Sequence, residues 1–193
     1  FLDIFVIMFF SLLFIPVSII TMLYLFFLDG YPMVIKQTRV GLHGKNFKMY
    51  KFRTMKKDSH DERDQLQEMN KHDGPLFKID DDPRIINGSK FLRKYSIDEI
   101  PQLINVIKGE MSMVGPRPLF PEDNYHFNEH YIRRLNVLPG ITGLLQINER
   151  NTDDFNIWYK YDLEYIENWS ILLDLKIILK TPFSILSSKI AGK

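Results

Sequence analysis

The chain of 193 residues contains no cysteine, which excludes disulfides, thiolate metal sites and cysteine nucleophiles. It also lacks an excess of charge: 25 Lys and Arg face 24 Asp and Glu, a formal net charge of +1. That balance gives no whole-chain attraction for phosphate backbones, so no nucleic-acid partner is expected. No G-x-x-x-x-G-K followed by Ser or Thr occurs, and no G-x-G-x-x-G, so the common mononucleotide and dinucleotide loops are missing. A serine nucleophile elbow is absent as well. His126 and His130 stand four apart, but Glu129 is not in the HExxH place and no third ligand accompanies them. They read as a solvated helix face. No internal repeat or low-complexity linker is present.

The most local absence is of charge between Ile4 and Leu28. These 25 residues exceed the roughly 20 that span a bilayer as a helix. The run stops at Asp29-Gly30-Tyr31-Pro32, a strong helix terminator. A cleavable signal has a shorter apolar region and a small-residue cleavage site, and a core helix of this length would carry a polar face. The segment reads as membrane-resident. Pro16, near its middle, predicts a kink. Each half of about 18 Å is too short to cross a core of about 30 Å alone. A kinked helix can still cross, or can turn back and leave where it entered; the sequence permits both. Eight basic residues (Lys36, Arg39, Lys45, Lys48, Lys51, Arg53, Lys56, Lys57) then follow within Asp29–Lys57, against the single acid Asp29. Such a segment belongs on the cytoplasmic side of the membrane.

Farther along, Val34 to Met55 predicts a hairpin or strand pair turning at Gly41-Leu42-His43-Gly44. Lys56 to Asp73 reads as a charged helix or loop, and Asp80 to Pro83 as a turn. Phe91 to Lys108 has a helical pattern interrupted by Pro101, and Asp153 to Glu167 reads as an aromatic-rich helix. Trp169 to Ile190 is apolar on most faces and suits either a core helix or one lying in a membrane interface.

The sharpest chemical constellation is Ser96-Ile97-Asp98-Glu99-Ile100-Pro101. One reading is a capping box, with Ser96 and Glu99 satisfying a helix start. The other is catalytic. Adjacent carboxylates hold a hard ion such as Mg²⁺ together with shared phosphate ligands, and a carboxylate can attack phosphorus to form an acyl phosphate. Basic and rigid stretches accompany the pair: Lys51-Phe52-Arg53, Arg93-Lys94 and Gly115-Pro116-Arg117-Pro118. Arginine suits phosphate because its planar fork donates two parallel bonds.

Taken in order, Lys48–Met55, Phe91–Leu103, Lys108–Pro118, Pro139–Gly143 and Trp169-Ser170 with Asp174–Ile177 resemble one family. It is the bacterial sugar transferases, the small monotopic polyprenyl-phosphate phosphoglycosyl transferases. The resemblance covers nearly the whole chain. It implies an α/β fold, mainly helical with a small sheet: a re-entrant membrane helix-break-helix over residues 1–29, broken at Pro16, and a membrane-associated catalytic domain over 30–193 with C-terminal interfacial helices. It implies a location at the bacterial inner membrane, with catalysis on the cytoplasmic face. It further implies that Asp98 attacks a UDP-sugar, expels UMP and passes the phosphosugar to undecaprenyl phosphate. Asp98 and Glu99 would hold Mg²⁺; Arg53, Arg93 and Arg117 match phosphate-binding positions, and Gln146, Arg150 and Asp162 match positions of the nucleotide-sugar site. The chain departs from the family's pattern at Ile15, at Leu144-Leu145 and at Glu149. Longer members carry further N-terminal membrane helices, and a start at Phe1 without a basic flank is expected of a piece of such a chain. Gly74–Lys78 with Asp81–Ile85 leans toward UDP-glucose or UDP-galactose as donor. A homo-oligomer, a nucleotide-sugar-binding scaffold without transferase activity, and a hydrolase using the same aspartyl phosphate all remain open.

Overall fold

The computed structural model describes residues 2–57, 59, 79, 82–123, 132–149, 152 and 154–187. Most of the charged Lys56–Asp73 stretch, Gly74–Lys78, Asp80-Asp81, the His126–His130 pair and Arg150 lie outside the described residues.

The apolar run forms one helix, α1 (Leu2–Asp29), long and apolar enough to cross or insert into a membrane. Pro16 lies inside this one helix, with residues on both sides belonging to it. Proline forfeits its own N–H bond and crowds the carbonyl four residues back, which bends a helix without ending it when the flanking turns stay bonded. Both ends of α1 rest on the same body. Near its start, Asp3 Oδ1 accepts hydrogen bonds from Ser112 Oγ at 3.2 Å and from the Met113 N–H at 3.1 Å. Val6 enters the main core there. Near its end, Leu25 packs with Phe52 and Leu92, and the Tyr24 hydroxyl donates to the Gly88 carbonyl at 3.0 Å. Between these anchors the outer face is bare: Leu12 is 88% exposed, and Phe9, Ile15, Ile20 and Phe27 are exposed with it.

The hairpin follows as expected. Strands β1 (Val34–Val40) and β2 (Asn46–Phe52) pair antiparallel, Val34 opposite Phe52 and Val40 opposite Asn46. The turn between them needs left-handed backbone at His43 and Gly44, which glycine supplies without strain.

The segment expected to be helical over Phe91–Lys108 comes in three pieces: α2 (Lys90–Lys94), a 3₁₀ turn (Ile97–Gln102) and α3 (Leu103–Ile107). The break falls at Ser96, whose φ is 55°, and not at Pro101. Pro101 sits inside the 3₁₀ turn just ahead of α3, where a missing N–H matters least. Strand β3 (Ser112–Val114) then pairs in parallel with β4 (Gly140–Thr142). The two chains approach so closely that a Cβ on Gly140 would collide with the Gly115 nitrogen and the Val114 carbonyl carbon.

Three helices complete the chain: α4 (Leu144–Asn148), α5 (Phe155–Glu167) and α6 (Ile171–Leu186). Asp154 caps α5 by accepting from the Asn156 N–H at 2.8 Å, and Ser170 caps α6 by accepting from the Leu173 N–H at 3.2 Å. Met49, Val106, Met111, Val114, Ile147 and Ile177 form the principal core, drawing on β2, α3, β3, α4 and α6. Helix α6 has one buried side and one exposed apolar side. Ile177 is fully buried, while Leu172, Leu179 and Phe183 are exposed. The α/β class holds: the described residues are mainly helical, with two two-stranded sheets.

Candidate active site

The 3₁₀ turn carries Asp98 and Glu99, both buried, at 2% and 8% exposure. The capping-box reading fails on geometry. A capping serine has extended backbone and accepts from the helix N–H groups, whereas Ser96 is left-handed and makes no side-chain cap bond. That conformation is unfavourable for a non-glycine residue, and it turns the two acids inward. Buried carboxylates require cations or donors.

Those cations come from two other elements. Lys51, on β2, places Nζ 2.8 Å from Asp98 Oδ2 and 4.0 Å from Glu99 Oε1. Arg117, beyond β3, donates from Nη2 to Glu99 Oε1 at 2.6 Å. Burial pushes the Lys51 ammonium below its usual range, opposed by the attraction of Asp98 and Glu99. Glu99 holds the Arg117 guanidinium above its own. Two acids and two bases cancel, so a phosphate arriving here meets donors without meeting net negative charge.

The surroundings fix these groups in place. Asn105, fully buried on α3, accepts from the Tyr50 N–H at 3.0 Å and donates to the Lys48 carbonyl at 2.8 Å, tying β2 to the element after the 3₁₀ turn. Arg134 donates from Nη2 to the Arg117 carbonyl at 2.7 Å and pairs with Asp162 Oδ2 at 2.9 Å. Burial drives the Asp162 carboxyl up to about 6 against the pull of Arg134.

Beside the acids lies a cavity of about 670 Å³ between α1, the 3₁₀ turn, α4 and α6. Its lining includes the polar side chains Arg93, Glu99, Arg117 and Gln146, and the apolar Phe10, Leu13, Phe14 and Val17 of α1 and Ile178 and Ile185 of α6. The Gln146 Nε2 is buried with no hydrogen-bond partner among the described residues, a donor available to a ligand. Asp98 itself does not line this cavity, although its neighbours Ile97 and Glu99 do.

Of the residues expected at the site, the fold thus gathers Asp98, Glu99, Arg93, Arg117 and Gln146. Asp162 stands one layer behind, acting on Arg117 through Arg134. Arg53 points elsewhere: its guanidinium pairs with the Asp29 carboxylate and donates to the carbonyls of Asp29 at 2.9 Å, Gly30 at 3.0 Å and Pro32 at 2.6 Å. It locks the exit of α1 and does not line the cavity. No group of three or more His, Asp or Glu that could hold a metal occurs among the described residues. The adjacent acids therefore suit only an ion that takes few protein oxygens and completes its shell with substrate phosphates, as Mg²⁺ does.

The geometry is a buried carboxylate pair, cations for a phosphate, and an apolar cavity against a membrane-grade helix. The bacterial sugar transferase model matches residues 1–188. The chain belongs to the bacterial sugar transferase family. Within it, the chain is 48% identical over 79% of its length to the galactosyl transferase CpsE of Streptococcus agalactiae, covering 34% of that protein. It is 44% identical over 83% of its length to the uncharacterized sugar transferase EpsL of Bacillus subtilis, covering 73% of it. It is 40% identical over 79% of its length to the undecaprenyl-phosphate galactose phosphotransferase of Salmonella typhimurium, covering 33% of it. The chain therefore spans about a third of the first and last of these relatives and about three quarters of the second.

Two residues of this candidate site, Asn105 and Arg134, escaped the sequence reading, while Lys51 was read there only as one of the basic residues accompanying the acids. Lys51 falls inside a stretch that carries the resemblance, but the spacing along the chain does not reveal which acid it will meet.

Proposed function

We propose that the protein is a phosphoglycosyl transferase that moves a sugar-1-phosphate from a UDP-sugar to polyprenyl phosphate. The observation that carries this reading is the buried Asp98–Glu99 pair, matched by Lys51 and Arg117, with Glu99 and Arg117 lining a largely apolar cavity under α1. An Asp98 carboxylate oxygen attacks the sugar-bearing phosphorus. The bond from that phosphorus to the bridging oxygen breaks, and UMP leaves with the electron pair. Asp98 then carries the phosphosugar as an acyl phosphate. A phosphate oxygen of the lipid attacks the same phosphorus, Asp98 is released unchanged, and a polyprenyl diphosphate-sugar results. Arg117 and Arg93 bind the phosphate oxygens as charge grows on them, and the unsatisfied Gln146 amide donates to the donor substrate. Glu99, with Asp98, would hold Mg²⁺, which when bound neutralises the diphosphate and the departing UMP.

The name of the Salmonella relative supports undecaprenyl phosphate as acceptor, and UDP-galactose or UDP-glucose as donor follows the resemblance. The bare apolar face of α1, anchored to one body at both ends, supports insertion from one side. The basic stretch after Asp29 supports the cytoplasmic face of the inner membrane.

Intact-protein mass spectrometry with a UDP-sugar and no lipid tests the reading. A phosphosugar adduct and equimolar UMP are expected, both lost in Asp98→Asn and both dependent on Mg²⁺. Full transfer by Asp98→Asn would overturn it. UDP-sugar binding without UMP release would favour a scaffold in its place.

A further inference from the structure

Strand β2 pairs with β1 along one edge, and among the described residues no strand pairs with the other. On that free edge a single side chain meets the backbone. Asn105 Oδ1 accepts from the Tyr50 N–H at 3.0 Å, and Asn105 Nδ2 donates to the Lys48 carbonyl at 2.8 Å. One amide thus bonds the strand on both sides of Met49, as one residue of a parallel neighbour does.

Glu110 decides which way that amide points. Its Oε2 accepts from Asn105 Nδ2 at 2.7 Å. An ionised carboxylate accepts and cannot donate, so the nitrogen of the amide must face it. Gly109, with a φ of +72°, turns the chain back so that Glu110 arrives there, and the Glu110 N–H donates to the Asn105 carbonyl at 2.9 Å. From the same turn, Lys108 Nζ donates to the Tyr50 hydroxyl at 2.8 Å. Residues 105–110 therefore grip Tyr50 by its backbone and by its side chain.

The next residue along β2 is Lys51, which pairs with Asp98 at 2.8 Å. Among the described residues this is the only ion pair that Asp98 makes, whereas Glu99 also has Arg117. A shift of the strand at Tyr50 is therefore felt first at Asp98. Neither Asn105 nor Glu110 lines the cavity beside the acids.

We propose that Glu110 and Asn105 are positioning residues for the nucleophile: they fix the free edge of β2, and with it the place from which Lys51 meets Asp98. The proposal rests on the phosphoglycosyl transfer reading above. Glu110 orients the amide, the amide holds Lys48 and Tyr50, and the strand delivers the ammonium to the attacking carboxylate. Neither side chain touches substrate, so their effect falls on the chemical step and not on binding of the donor.

A double-mutant cycle on the full chain in detergent tests this, with UMP release from a UDP-sugar as the readout. Glu110→Ala should lower kcat by about tenfold, with the KM for the UDP-sugar within about twofold of wild type. In a Lys51→Met background the same substitution should slow release by less than about twofold, because the group it positions is gone. Glu110→Gln keeps an acceptor for Asn105 Nδ2 and should retain the rate within about threefold. Thermal unfolding identifies the variants that fold, and Asn105→Asp, which sets a carboxylate against Glu110 and the Lys48 carbonyl, is the second entry to the cycle. It should show the same loss of effect in the Lys51→Met background.

Equal slowing by Glu110→Ala with and without Lys51 would overturn the proposal, since a merely structural loss does not depend on the lysine. So would a wild-type kcat in folded Glu110→Ala, or a tenfold rise in KM. Absence of both UMP release and an Asp98 adduct in the wild type would instead strike the reading on which the proposal rests.

Discussion

Lys51 Nζ lies 2.8 Å from Asp98 Oδ2, and both side chains are largely shielded from water. The lysine comes from the second strand of a hairpin and the aspartate from a 3₁₀ turn, so their meeting depends on how β2 packs against the segment that Ser96 redirects. Removing one partner of a buried pair leaves the other charge without compensation, a loss of about 3 kcal/mol or more. Lys51→Met should therefore lower the Tm, and it should slow UMP release by roughly 100-fold through loss of one preorganised cation. Lys51→Arg should recover part of both. Thermal unfolding in detergent, run alongside the UMP assay, checks the pair of effects; a Lys51→Met protein with wild-type rates would remove Lys51 from the site.

Asp162 sets a pH dependence. Its carboxyl is pushed up to about 6 by burial, from an ordinary 3.8. A folded value above the unfolded one means that the protonated acid favours the fold at low pH, and that this contribution fades as pH rises through about 6. The ionised form is the one that grips Arg134, which holds the Arg117 carbonyl. UMP release should rise through pH 6 while stability declines over the same interval. Asp162→Asn should flatten both profiles and lower the plateau rate; an inflection near pH 6 that survives in this variant would assign it to another group.

Arg53 was expected to bind phosphate, yet its guanidinium clamps three carbonyls and Asp29 at the end of α1. Arg53→Ala should reduce stability by about 1–3 kcal/mol, since it removes a buried guanidinium that satisfies several part-buried acceptors. Asp29→Ala should do less, because Asp29 is partly exposed and its pairing is screened. The KM for UDP-sugar should stay within about twofold in folded Arg53→Lys. A tenfold rise would restore the phosphate role.

Gly140 tests the fold rather than the chemistry. Its Cβ would run into the backbone of Val114 and Gly115, which cannot move aside as a flexible side chain would. Gly140→Ala should lower stability by about 3 kcal/mol or more through overpacking. Gly44→Ala, where the added carbon meets nothing and only the φ of +75° is strained, should cost about 1 kcal/mol. Their relative Tm values in the same detergent decide it; equal losses would contradict the close approach of β3 and β4.

Much of this was legible in the residues. The charge-free run before Asp29-Gly30 marked α1, the Gly41–Gly44 turn marked the hairpin, and Asp154 and Ser170 capped helices close to where composition placed them. Where the local pattern and the fold part company, the cause is shared. Ser96 with Glu99 satisfied a local capping pattern, but tertiary packing overrode it, because the two acids found Lys51 and Arg117 from distant segments. Arg53 looked like its basic neighbours, and only the fold shows that the chain carries its guanidinium to the end of α1. Pro16 signalled a disturbance without saying how far it would go. Local signals report propensity; the pairing of buried charges across the chain is a property of the assembled core.

Helix α1 is held to a single body at Asp3 and again at Asp29, positions about 40 Å apart along a helix. A transmembrane helix free at one end adapts to a thicker or thinner bilayer by tilting. This one is spliced at both ends, like a beam fixed to one wall, and has little freedom to tilt. Under the proposed one-sided insertion, lipids of different chain length would have to deform around it, while the protein would set the distance from the membrane to the carboxylates. The depth of the proposed reaction would then be a constant of the fold, carried unchanged from one bilayer to another.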